Sequence, residues 1–348
     1  MSKREQWVDR LKFWGMLAIY IGHFYEWGGW LYEFVFTYHV PLFFFVSGFF
    51  ANCSGRYTTG EYIKKKVNTL VIPYLFLGLL NIVFGVLLYN LDFHTFLLMF
   101  KSFSGIRSNM DYFGSMWFFP CLFFMEVLYE LLYRVFRSRR LLVFVGVLFY
   151  AVFCLLKIQA HILLSLDCVL LYFIYFALGS LLYKYIKDFE VFRLSAAGKA
   201  VFGVAVICSV VLACLTFFQK GHLVSQVIYL IKFKPLFLIA LYGWDIAIAL
   251  NMIFVSILIA KYWKWGFLGK LGSETLIFCG TEWIIKDGLQ SIVEMLGGTC
   301  NLENPFQVVA FSMGCLVISH FTITALLKRS FPRLVGEKTI CKTGESLP

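Results

Sequence analysis

The chain has 348 residues, of which 60% are hydrophobic, 20% aromatic and only 15% charged, and its mean hydropathy is +0.79. A water-soluble domain carries closer to a quarter charged residues because it must clothe its surface, so this composition excludes one and makes lipid the solvent. The net charge of +11 does not point to nucleic acid, because the basic residues gather in alternate loops instead of one patch.

Inside a bilayer every backbone N–H and C=O has to be satisfied within the protein. The apolar runs here are long and continuous, which selects helices over a barrel of short alternating strands. A crossing helix needs about 20 apolar residues. In chain order the expected spans are 11–26, 36–53, 67–90, 112–133, 141–156, 162–183, 198–217, 241–260, 273–292 and 305–327. The first follows a charged segment, Lys3 to Arg10, with no small-residue cleavage site after it, and is expected to be retained. With the chain's two ends on the cytoplasmic side, 24 of the 31 Lys and Arg residues fall on the inside and 7 on the outside, as the positive-inside rule requires. The expected architecture is an all-α polytopic transmembrane bundle of about ten helices with N and C termini cytoplasmic. It forms a single domain over 1–335 and a short cytoplasmic tail over 336–348. The ten cysteines show no CxxC and no metal-ligand spacing and read as small buried hydrophobes, so no metal site is expected.

Ionisable residues within membrane helices are costly and therefore candidates for function. On the first helix, eleven steps of 100° separate Lys12 from His23 and leave only about 20° between them, and Asp9 falls about 40° from His23 on the same face. His23 then stands about 16 Å along the axis from Lys12. Glu26, one turn further on, is placed to orient His23. This stripe has two readings: a basic anchor for a phosphorylated donor with a titratable base deep in the bundle, or an interfacial lysine and a histidine bonded to a neighbouring helix. On the second helix His39 enters the membrane before Pro41, and Ser47 and Gly48 are small enough to let helices approach closely. Further intramembrane acids are Glu126, Asp245 and Glu282. The basic run Lys64-Lys65-Lys66 precedes the third span, and Trp117 lies in the fourth.

Three stretches together resemble acyltransferase family 3: Trp7-Val8-Asp9-x-Leu11-Lys12, Gly22-His23, and Tyr38-His39-x-Pro41-Leu42-Phe43-Phe44-Phe45-x-Ser47-Gly48. The basic residue, ten residues and a histidine match the family's signature. Weaker matches follow at Leu70 to Tyr74, Met116 to Pro120, and Phe176 to Leu182. The resemblance implies a membrane-integral enzyme that moves acyl groups from cytoplasmic acyl-CoA to hydroxyls of sugars and other cell-surface acceptors. It implies that His23 acts in catalysis and Lys12 in donor binding, with Lys64, Lys65 and Lys66 near the CoA side. Many relatives carry a histidine in mid-ninth helix where this chain has Glu282, a departure that bears on the acceptor more than on the reaction.

The expected activity is therefore O-acyl transfer, most simply acetyl transfer, to a saccharide or glycolipid acceptor. Its donor site is Asp9, Lys12, Lys64, Lys65 and Lys66, and its catalytic site is His23, Glu26 and His39. Trp117, Glu126, Asp245 and Glu282 line the acceptor cavity. Acyl-CoA enters as a co-substrate, with no permanently bound cofactor. The expected partners are membrane lipid and polysaccharide-assembly proteins, and the expected location is a bacterial inner membrane. A transporter or flippase of a polysaccharide or lipid-linked precursor is the principal alternative, since intramembrane charge also marks substrate paths. A non-catalytic scaffold of a polysaccharide-assembly complex is the second, to which the intact Lys12–His23 spacing is a poor fit.

Overall fold

The computed structural model describes residues 5–24, 29–51, 57–89, 93–105, 114–156, 158, 162–218, 234–298 and 304–336. Among them every regular element is helical. Six helices are long and apolar enough to cross a membrane: Thr59–Leu87, Gly114–Phe136, Leu163–Asp188, Ala196–Phe217, Ala240–Tyr262 and Pro305–Ser330. These correspond to six of the ten expected spans. The other four stretches are also helical but depart from a simple crossing. They are α1 (Gln6–Gly22), α3 (His39–Gly48), α8 (Arg139–Leu155) and α13 (Thr275–Met295). At 1.5 Å per residue, the 17 residues of α1 reach about 25 Å, short of a 30 Å core. The 10 residues of α3 reach half of it, continuing from a short α2 (Trp30–Phe36) across the turn at Thr37 and Tyr38. Helix α13 is long enough, but Glu282, Lys286 and Asp287 interrupt its apolar run.

The remaining elements, in chain order, are as follows. Helix α4 (Thr59–Lys66) leads through a π-helical turn, Val67–Val71, into α5 (Ile72–Tyr89). Helix α6 (Phe93–Ser102) and a 3₁₀ turn, Gly114–Trp117, precede α7 (Phe118–Phe136). Then come α9 (Leu166–Asp188), α10 (Ala196–Phe217), α11 (Lys234–Tyr262), α12 (Gly266–Gly272) and α14 (Pro305–Ser319). A second π-helical turn, His320–Thr324, joins α14 to α15 (Ala325–Ser330).

Local chemistry sets these boundaries. Thr58 and Glu61 form a capping box at the start of α4, and Asn304 and Gln307 form another before α14, whose first residue is Pro305. Both satisfy orphan N–H groups with side-chain oxygens. Helix α7 ends on Arg137 in the left-handed conformation, and Ser138 caps α8 immediately after, so the two run as a tight hairpin.

The bundle is layered around α1 and α9. Within the Leu163–Asp188 span 67% of the most apolar window is buried, against 6% within Ala196–Phe217. Helix α9 is therefore an inner helix and α10 a peripheral one, with Val201, Val204 and Ile207 facing out. Helix α1 is buried along nearly its whole length, which explains why a span too short to cross alone is still tolerated.

At the α3–α9 crossing the two backbones approach closely. A Cβ on Gly48 would fall on the carbonyl oxygen of Phe176, and one on Gly179 would fall on that of Phe45. Each helix thus offers its glycine to the other's backbone, the small-residue packing that membrane helices use where hydrophobic force between them is absent. At the end of the bundle where the chain begins, Gly272 of α12 lies in the same way against the carbonyl of Asp9. Gly203 on α10 has open space around it.

Gly179→Ala is expected to cost about 3 kcal/mol or more, because the added methyl meets rigid backbone and neither helix can yield locally. Gly203→Ala is the matched control. Thermal unfolding of the detergent-purified protein should show a large loss for the first and none for the second.

Candidate active site

Helix α1 stops at Gly22, and His23 is its C-cap instead of lying inside a span reaching residue 26. This position turns the imidazole away from α1 toward α13. His23 Nδ1 donates to Glu282 Oε1 at 2.6 Å, and Glu282 is only 3% exposed. The other carboxylate oxygen, Oε2, accepts from Ser115 Oγ at 2.9 Å. Lys286, one turn beyond Glu282 on the same helix, lies 3.7 Å from Oε1 and donates to the backbone carbonyl of His23 at 2.9 Å. Its ammonium also sits 4.2 Å from the ring centre of Phe24. A buried carboxylate is tolerated only when opposite charge and donors surround it, and here both oxygens are engaged.

The backbone is shaped to admit this cluster. Gly114 has φ +48, and a Cβ there would stand 3.4 Å from Glu282 Oε2 and 3.7 Å from His23 Nδ1. The glycine opens the 3₁₀ turn whose next residue is Ser115. Helix α13 is fixed just before Glu282 by bonds to three consecutive carbonyls. Tyr20 OH donates to Phe278 at 3.1 Å, Ser115 Oγ approaches Cys279 O at 3.0 Å, and Asn81 Nδ2 donates to Gly280 at 2.8 Å. Asn81 also donates to Leu77 O within α5 at 2.7 Å, and its bond to Gly280 ties α5 to α13. The Cys279 thiol lies 3.1 Å from Ser115 Oγ and is wholly engaged in this network.

Chemically, a carboxylate on Nδ1–H fixes the tautomer and leaves the Nε2 lone pair as the basic position. That is the arrangement by which an imidazole serves as an oriented general base. His23 remains 18% exposed at its side chain, enough for a substrate hydroxyl to reach it.

The other residues singled out from sequence fall in several places. Glu26 lies outside the described residues. His39 is buried at the first position of α3, with Nδ1 donating to Val35 O at 2.7 Å and its ring edge-on to Phe36. Trp117 is buried between Phe118 and Tyr172. Asp245, on α11, has Tyr150, Tyr175 and Tyr242 as electrostatic neighbours. Glu126 does not stand alone in a cavity: it forms an ion pair with Lys66. One residue expected on the donor side and one on the acceptor side are thus joined. Four residues on, Glu130 pairs with Arg134, which also donates to Tyr57 O at 2.6 Å.

Lys64 and Lys65 remain exposed and border an open cleft of about 650 Å³. Asp9 borders a second, of about 510 Å³, together with Arg10 and Lys270. Arg10 is anchored there by a 2.8 Å bond from Nε to Ala260 O. Lys12 lies with its ammonium 5.0 Å from the ring centre of Phe50. Among the described residues no group of three or more His, Cys, Asp or Glu side chains is arranged to hold a metal ion.

Ser115 and Lys286 were not singled out as site residues from sequence. Lys286 had a visible signal, standing four residues after Glu282 and so on the same helical face. Ser115 had only its place beside a glycine, one residue before Met116-Trp117.

No curated protein and no solved structure shows detectable similarity to the chain. The acyltransferase family 3 profile, described as an acyltransferase domain, matches residues 5–327, nearly the whole length. That span contains the entire His23–Glu282 cluster, so the chain belongs to acyltransferase family 3 and is a membrane acyltransferase.

Proposed function

We propose that this protein is an O-acyltransferase that moves an acyl group, most simply acetyl, from cytoplasmic acyl-CoA to a hydroxyl of a cell-surface saccharide or its lipid-linked precursor. The observation that carries this reading is the 2.6 Å bond between His23 Nδ1 and Glu282, with Ser115 and Lys286 holding the carboxylate. Both chain ends are taken as cytoplasmic, so the donor enters where α1 begins and the acceptor meets His23 at the far end.

In this mechanism Nε2 of His23 removes the proton from the acceptor hydroxyl as its oxygen attacks the thioester carbonyl. Glu282 stabilises the imidazolium that forms. The C–S bond breaks, the acyl group stays on the acceptor oxygen as an ester, and the departing thiolate takes the proton back from His23. No oxidant, metal or permanently bound cofactor enters the balance. Asp9, Lys12, Lys64 and Lys65 form the donor side, and the pairing of Lys66 with Glu126 supports a structural part for both in bracing α4 against α7. His39 supports the turn between α2 and α3 through Val35. Trp117 and Asp245 belong to the acceptor side in this reading.

His23→Ala is expected to lower acyl transfer by about 10²- to 10⁴-fold while the protein stays inserted and abundant. The measurement is transfer from radiolabelled acetyl-CoA to surface glycan in membranes matched for protein level. Activity within a few-fold of wild type would sink the assignment. Glu282→Gln keeps a hydrogen-bonding side chain but loses the charge that stabilises imidazolium. It should reduce kcat by about tenfold or more and leave KM for acetyl-CoA unchanged. A rise in KM with kcat intact would instead make Glu282 a binding residue.

A further inference from the structure

The cleft beside α4 has a wall that the family match does not cover. Its lysines, Lys64 and Lys65, come from the last turn of α4, and Thr69 comes from the π-helical turn that follows. The opposite wall is the turn after α15, and it brings Arg333 to the cleft. Arg333 lies beyond the matched residues 5–327.

That turn is built into the fold. Leu334 N and Val335 N both donate to Phe331 O, at 3.0 and 3.2 Å. Phe331 packs its ring 5.4 Å from that of Phe76, and Val335 is buried. Gly336 has φ +76, and a Cβ there would stand 3.4 Å from both Thr69 O and a methyl of Leu276. The left-handed glycine therefore closes the turn directly onto the π-helical segment, and Arg333 is held over the cleft by a rigid frame.

Among the described residues that line the cleft, three are cations, Lys64, Lys65 and Arg333, and one is a carboxylate. The carboxylate, Glu61, is engaged at the α4 cap, with Oε2 accepting from Thr58 N at 2.8 Å and Thr58 Oγ1 at 2.9 Å. Lys65 lies 4.5 Å from the ring centre of Tyr57, which gives the cleft an aromatic side as well. A volume of about 650 Å³ suits a nucleotide rather than a single phosphate. Guanidinium adds what two ammonium groups lack, a planar fork for bidentate phosphate contact. The cleft also sits at the right end of the bundle. Gly336 touches Leu276 at the start of α13, and Gly272, one turn earlier in sequence, lies against Asp9 at the start of α1. Donor bound there is on the side from which α1 leads to His23.

We propose that Arg333 and the turn 331–336 complete a binding site for the phosphorylated nucleotide end of the acyl donor, with Arg333 clamping phosphate opposite Lys64 and Lys65. This rests on the reading that acyl-CoA is the donor, and it adds a specificity residue outside the family's matched core.

The test uses the full chain in nanodiscs of neutral lipid and the probe adenosine 3′,5′-bisphosphate, the nucleotide end of CoA without its acyl arm. Wild type should bind it, and Arg333→Ala should weaken binding about tenfold or more, with Arg333→Lys recovering only part. Adenosine without phosphate should bind neither form measurably. Arg193→Ala, which removes an equal charge from an exposed ion pair with Glu190, should behave as wild type. Equal affinity of wild type and Arg333→Ala, or no binding by wild type, would overturn the proposal. Phosphate chemistry is shared with anionic lipid, so a parallel arm measures retention of phosphatidylglycerol in mixed nanodiscs. If Arg333→Ala changes lipid retention and leaves bisphosphate affinity untouched, the cleft belongs to lipid headgroups and the proposal fails. His23→Ala should keep wild-type affinity for the bisphosphate, so failure of the acyl-transfer assignment and failure of this one give different results.

Discussion

A carboxylate buried among apolar helices destabilises the fold unless donors and opposite charge enclose it, and the elements around Glu282 are arranged to do that. His23 and Ser115 take one oxygen each, and Lys286 supplies a positive charge from one turn away. These groups come from the end of α1, the 3₁₀ turn before α7, and α13 itself, so neutralising one charge requires three distant segments to meet. Asn81 from α5 and Tyr20 from α1 then fix the preceding carbonyls of α13. Stability and chemistry are therefore drawn from the same bonds. The cluster proposed to make the imidazole an oriented base is also a polar knot among the buried helices.

The rest of the architecture serves to keep that knot in register. Reciprocal glycines lock α3 to α9, and a third glycine seats α12 on the start of α1. With α1 held at its first turn, His23 at its C-cap is held along the axis. The Lys66–Glu126 pair, and the bond from Arg134 to Tyr57 O, tie α4 and the segment before it to α7. The lysines left exposed, Lys64 and Lys65, are thus presented from a braced helix and not from a loose loop.

Sequence reasoning reached the parts of this that are local. The apolar runs located the six helices long and apolar enough to cross a membrane, whereas the other four expected spans, at α1, α3, α8 and α13, hold helices that are short or carry charges. The Lys12–His23 spacing and the candidacy of Glu282 were legible from residue identity and period alone. Their partnership was not, because 259 residues separate His23 from Glu282 and no periodicity spans that distance. The nearest acid in sequence, Glu26, was expected to orient His23 and lies outside the described residues, whereas the bond to His23 among the described residues comes from Glu282 on α13. The same blindness applied to Lys66 and Glu126, assigned to opposite sides of a reaction although they neutralise each other. Arg333 was only one of the 24 basic residues counted on the inside, because its place at the cleft depends on the turn that folds it back.

The π-helical turn at Val67–Val71 has a further consequence for how this protein tolerates change. Such a turn accommodates an extra residue within an otherwise regular helix. It therefore sets the angular phase between Lys64 and Lys65 on one side and Asn81 on the other. Removing a single residue there would rotate one group against the other by about 100°. The lysines would swing away from Arg333, or Asn81 away from Gly280, with no side chain of either site altered. In this helix, the count of residues is as much a determinant of the site as their identity, and a deletion would be felt at the cleft and at the polar cluster at once.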